Sequence, residues 1–237
     1  MQSANDLKQL LFNINRKSYP AYKSTRGAYQ FPRYTLSIDH VQGDPFAAPS
    51  RVSVHISGKT AAFPAFLYDT YEKRVALQDY LLRQFASGLL GISRCGQEIL
   101  ERTACVLNPS DGSLIINMEI GFPANGRTIA SQELIRILFD FLPGCVEKSL
   151  FYRALDPKAC ANVARLCEGQ QAIRAALKAK GLTAFIADGS ILPRETGVSD
   201  LPMKHAVPFT SPESLRVTLD LPNRGPVSGM GIPLGVT

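Results

Sequence analysis

The residues whose types and spacing point most directly to chemistry lie between positions 7 and 38. This stretch contains Lys8, Arg16, Lys17, Lys23, Arg26 and Arg33 but no aspartate or glutamate. Those cations equal the net charge of +6 carried by the whole 237-residue chain, so the remainder is balanced. Tyr19, Tyr22, Tyr29, Phe31 and Tyr34 are interleaved with them. Cations meet phosphates and flat rings stack on bases, the two requirements of single-stranded nucleic acid binding. Arg16, Lys17, Lys23, Arg26 and Arg33, with Tyr22 and Tyr29, are therefore the candidate nucleic-acid-binding residues. The same pattern also suits another anionic partner. It equally suits a plain basic surface whose tyrosines pack their rings inward and leave their hydroxyls wet.

Two loops offer a cation to phosphate. Gly189-Ser190-Ile191-Leu192-Pro193-Arg194 follows a predicted strand, and loops at strand ends often carry sites. Arg194 there has a planar fork that fits phosphate. Asn125-Gly126-Arg127 precedes a predicted helix start, where free amides favour anions. An ordinary Asn-Gly turn accounts for it as well. Asp39-His40, with Asp44 nearby, invites an acid–base reading, but neighbours in a strand point to opposite faces and no nucleophile is marked. Asp44 before Pro45 reads as a turn former. His40, His55 and His205 show no ligand spacing. The five cysteines form no C-x-x-C and read as small buried hydrophobes, Cys160 and Cys167 sharing one helix face.

The elements that must hold these residues follow from periodicity. An amphipathic helix is predicted over 5–15, with Leu7, Leu10, Leu11 and Ile14 on one face and Asn5 or Ser3 as cap. Strands are predicted over 34–39 and 51–56, separated by the loop VQGDPFAAPS. A long helix over 69–90 places Leu77, Leu81, Phe85 and Leu89 at four-residue spacing, capped by Asp69 or Thr70. Strands over 103–107 and 114–120 form a hairpin with a longer loop. After a turn-rich loop over 121–127, a helix capped by Ser131 turns Leu134, Ile137, Leu138 and Phe141 inward. A further helix runs from Asp156 to about Lys180 and stops at Gly181, with Val163, Leu166, Ile173 and Leu177 inward. A short buried strand over 183–187, a loop over 188–212 and a strand over 215–221 complete the reading. Helices and strands mix without regular alternation, so the fold class is α+β. At 45% hydrophobic and 19% charged, with neither a signal peptide nor a membrane-length apolar run, the chain reads as cytoplasmic.

The run SPESLRVTLDLPNRGPVSGMGIPLGVT (211–237) turns apolar at its last residues, like a strand cut at its start, and predicts that more chain follows. It resembles the segment before the Walker A loop in the predicted ATPases of the ABC class. Three other stretches agree in order: YTLSIDHVQGDPFAAPSRVSV (34–54), GFPANGRTI (121–129) and DGSILPRETGVSDLPMKHAVPF (188–209). The resemblance implies a family N-terminal domain over 1–210 and the opening strands of a truncated ATPase core over 211–237. It implies ATP and magnesium for the full-length protein, RNA as partner, and Arg194, Ser190 and Arg127 near bound nucleotide. No G-x-x-x-x-G-K-[ST] occurs in these residues, so this chain alone is expected to hold no cofactor and not to hydrolyse ATP. The competing expectation is a non-catalytic structural or oligomerisation module. An exposed, unpaired strand over 215–237 is expected to pair with another chain, giving aggregation or a homodimer.

Overall fold

The computed structural model describes residues 2–86, 95–96, 98–199 and 201–235. They form two compact units that divide between Ala161 and Asn162.

The first unit is built on a six-stranded sheet. Its strands are β1 (Gln2–Ser3), β2 (Gly27–Gln30), β3 (Thr35–His40), β4 (Ser50–Ile56), β5 (Cys105–Leu107) and β6 (Leu114–Ile120). Their order is β1-β2-β3-β4-β6-β5; β1 runs parallel to β2 and all other pairs are antiparallel. Strict alternation sorts the residues. Leu36, Ile38, Val52, Val54, Ile116 and Met118 are buried on one face, while Asp39, Arg51, His55, Asn117 and Glu119 lie exposed on the other.

The helices of this unit bring the complementary apolar residues. They are α1 (Ala4–Ile14), the single turn α2 (Gly58–Ala61), α3 (Tyr71–Ala86), α4 (Ser131–Ile135) and α5 (Leu142–Ser149). Leu7 and Leu11 of α1 and Leu77, Leu81 and Phe85 of α3 are fully buried, as their spacing predicts; Leu89 lies outside the described residues. Ser3 starts α1 through a reciprocal pair of bonds with Asp6, and Thr70 caps α3 by accepting from the Lys73 amide.

The helix after Ser131 departs from expectation. A π turn over Arg136–Phe141 joins α4 to α5. A π turn takes more residues per turn than an α-helix. The buried stripe therefore runs Leu134, Leu138, Leu142, Val146, while Phe141 is exposed and Ile137 only half-buried. Ser131 is not the cap. It is the first helical residue, its amide donates to Asn15 Oδ1 at 3.2 Å, and its own hydroxyl finds no partner among the described residues.

The second unit holds a three-stranded antiparallel sheet of β9 (Leu182–Ala187), β10 (Arg216–Leu221) and β11 (Gly225–Pro233), in the order β10-β11-β9. Helix α6 (Pro157–Ala179) begins in the first unit and continues into the second. Because β9 pairs along β11, residues 182–187 belong with the strands after position 211. The compact units divide at 161/162, and the sequence-based boundary at 210/211 falls within the second of them. Strand β9 is half-buried rather than buried, and Leu166 of α6 is exposed rather than inward. A small hairpin of β7 (Ala124–Asn125) and β8 (Thr128–Ile129) occupies the predicted 121–127 loop. No described helix is long and apolar enough to cross a membrane.

Candidate functional site

The basic segment is folded against the β7–β8 hairpin. Arg16 takes a left-handed backbone (φ 63°), reversing the chain after α1. Its amide then donates to Ile129 O at 3.1 Å, Ile129 N donates to Lys17 O at 2.9 Å, and Tyr19 N donates to Arg127 O at 2.9 Å. Gly126, at φ 59°, begins the two-residue loop that carries Arg127 at the hairpin tip. Arg16, Lys17 and Arg127, distant in sequence, are thereby joined by backbone pairing. Lys23 lies in the 3-10 helix that follows (Tyr19–Thr25), and Arg26 caps its end. All these cations are exposed, and none forms an ion pair among the described residues.

Other members of the expected set are otherwise engaged. Arg33 binds Glu147 at 2.6 Å, and its guanidinium lies 3.6 Å from the ring centroid of buried Phe151. It is a structural cation rather than a phosphate ligand. The aromatic reading also needs correction. Tyr22 and Tyr29 are buried and offer no face to a base. Their hydroxyls donate to Pro123 O and Thr25 O, each at 2.8 Å, and the Tyr19 hydroxyl donates to Phe122 O at 3.0 Å. Tyr22 meets Tyr19 and Phe122 edge-on, with centroids 5.2 and 5.0 Å apart. Burial pushes the Tyr19 phenol up to about 12 and raises Tyr22 and Tyr34 further in the same direction. The exposed ring of this stretch is Phe12, on the side of α1 away from Leu7 and Leu11; the amphipathic pattern of α1 is the signal that could have found it.

The amides ahead of α4 do not form an anion site beside Arg127. Ser131 N is taken by Asn15, and Glu133 N donates to Ala130 O.

Alternation in β3 and β4 brings together a cluster that single-residue reading missed. Asp39 accepts from Ser37 Oγ at 2.6 Å and from Ser53 Oγ at 2.8 Å, and Ser53 Oγ lies 2.9 Å from His55 Nε2. The order is carboxylate–hydroxyl–imidazole. With the Ser53 proton directed to Asp39, His55 is the donor to Ser53 and does not act as its base. The cluster is therefore a hydrogen-bonded chain on the open sheet face, not a nucleophile with its activator. Beside it, a 650 Å³ cleft is lined by Asp39, Arg51, Arg102 and Glu119, of mixed sign. Asp44 accepts from the Phe46 amide at 2.8 Å, which is the turn its sequence predicts.

In the second unit Ser190 is tied by backbone bonds, its amide to Ala187 O and its carbonyl to Phe209 N. Arg194 is exposed, bridged through its backbone to Pro202, and unpaired among the described residues. The side chain that organises this loop is Asp188. It accepts from Ser211 N at 2.5 Å and Ser211 Oγ at 3.0 Å, and lies 3.9 Å from Arg216 Nε. Asp188 and Arg216 thus clasp the end of β9 to the start of β10.

Comparison with known families matches residues 4–153 to the N-terminal region of the ATPase of the ABC class, and residues 156–237 to its P-loop domain. No curated protein matches the chain. The junction between the two matches falls close to the division between the two compact units. With the first match covering well over half of its residues, the chain belongs to the ATPases of the ABC class.

Proposed function

We propose that this chain is the nucleic-acid-binding N-terminal part of an ABC-class ATPase and acts on RNA through the phosphate backbone. The observation that carries this reading is the exposed, unpaired set Arg16, Lys17, Lys23, Arg26 and Arg127, tied together by the pairing of residues 16–19 with 127–129. Unpaired cations gathered on one rigid segment attract a polyanion and release its counterions. The buried tyrosines take no part, so recognition is led by phosphate and has little preference for base. Hydrolysis is not performed by these residues, which contain no phosphate-cradling lysine motif. ATP and magnesium are the ligands that the P-loop-domain match over 156–237 suggests, with Arg194 and Ser190 as the residues that approach them.

The test is fluorescence anisotropy of a single-stranded RNA oligonucleotide across a salt series. Neutralising four phosphates predicts a slope of log K against log salt of about −3. Reversing Arg16, Lys17, Lys23 and Arg26 to glutamate abolishes that salt-sensitive binding. Unchanged affinity in this variant overturns the reading.

A further inference from the structure

We infer that the second unit carries a separate binding cleft for a phosphate monoester borne on an apolar or planar group, such as a nucleoside monophosphate. The cleft has a volume of 420 Å³, within the range of small-ligand pockets. One wall is helix α6, which presents Asn162, Arg165, Leu166, Gln170 and Ile173 at successive turns. The other is the turn between β10 and β11. There Leu221 pairs with Gly225 across a three-residue loop, and the left-handed Gly225 (φ 67°) closes it. This loop holds Asn223 and Arg224 at the cleft in a defined position.

The chemistry divides along the cleft. Arg165 and Arg224 come from opposite walls, and neither forms an ion pair among the described residues. Two planar guanidinium forks facing one space fit a doubly charged phosphate, which can accept from both. The acid close by, Glu168, accepts from Asn223 Nδ2 at 2.6 Å and does not line the cleft. Leu166, exposed, and Ile173 supply an apolar surface for a ring, and the amides of Asn162 and Gln170 can read its polar edge.

Gly169 is the independent observation. It lies inside a 23-residue helix, where glycine costs stability relative to alanine, and it lines the cleft. A Cβ added there meets nothing within 4 Å. Packing therefore does not require a glycine at this position; what its absent side chain leaves open is the cleft.

The proposal does not rest on the basic surface of the first unit, and the two are separable in one experiment. Calorimetric titration of the full chain with AMP, with adenosine as control, reads the cleft directly. We expect AMP to bind and adenosine to bind about tenfold or more weakly, since charge-assisted bonds to the phosphate are lost. Arg165→Ala and Arg224→Ala each weaken AMP by a similar factor, and Gly169→Leu blocks it by filling the cleft. Circular dichroism of each variant reports that the helix is retained. The Arg16, Lys17, Lys23 and Arg26 reversal, which abolishes RNA binding, leaves AMP binding intact. Absence of AMP binding, equal binding of adenosine, or insensitivity to all three cleft variants overturns the proposal.

Discussion

Tyr22 has the ring that a base would stack on, yet its hydroxyl reaches the carbonyl of Pro123, 101 positions along the chain. Tyr22→Phe removes that bond and leaves Pro123 O with the Ala130 amide, at 3.1 Å, as its donor. We expect a loss of about 1 kcal/mol in denaturant unfolding, with RNA affinity unchanged. A drop in affinity matching that of the cation reversal would show instead that the Tyr22 hydroxyl serves nucleic acid binding. The buried phenols also set a pH dependence. Folding holds Tyr19 neutral up to about 12, so this contribution is complete below the ordinary phenol value of about 10 and is lost as pH rises towards 12. The thermal midpoint should fall across that window and be insensitive to phenol ionisation below it. At Asp79 the logic concerns charge. Its buried carboxylate binds Arg83 and Arg102, whose guanidinium groups in turn hold the carbonyls of Gly96, Glu98 and Leu100. Asp79→Asn removes the carboxylate charge that the two arginines share. Because both are partly exposed, we expect about 2–3 kcal/mol, below the cost of breaking a fully buried pair. Composition shows that cations and rings alternate over 7–38. It does not show which rings find carbonyl partners a hundred residues away, and that is why the cations were legible as a candidate surface while the tyrosines were misassigned.

Elements governed by local periodicity were the most legible. The alternation of 34–39 and 51–56 and the four-residue spacing of Leu77, Leu81 and Phe85 are fixed by chain geometry alone, and the structure repeats them. Where a partner elsewhere alters the local rule, the reading slipped. The π turn moves Phe141 outward and Leu142 inward, and the helix start at Ser131 is served by Asn15 from the end of α1. Asn15→Ala should therefore destabilise α4 by about 1 kcal/mol, as loss of a cap does, although it lies outside that helix. Hydrogen exchange of the Ser131–Ile135 amides reads this directly. Helix α6 supplies the opposite case. With open space beside Gly169, Gly169→Ala removes a helix-interior glycine without a clash. We expect a gain of about 1 kcal/mol in the stability of the second unit; a loss would mean that the space is not open.

At the scale of the molecule, the two units differ in how much apolar surface they remove from water. The first buries long rows of leucine, isoleucine, valine and aromatic residues from one sheet face and its helices. Among the described residues the apolar side chains that the second buries are Ala164, Cys167, Leu219 and Leu221, and β9 is half-buried apart from exposed Thr183. Burial of apolar area is the main favourable contribution to folding, and small domains are the first to run short of it. Single-transition unfolding is therefore not expected. In a urea series followed by hydrogen exchange and mass spectrometry, peptides from β9, β10 and β11 should lose protection first, while those from β3, β4 and β6 hold until higher urea. AMP bound in the cleft between α6 and the β10–β11 turn would raise the first transition alone, by mass action on the folded second unit. RNA bound by the first unit would raise only the second transition. One coincident transition, shifted equally by either ligand, would instead require the two units to fold as a single cooperative body.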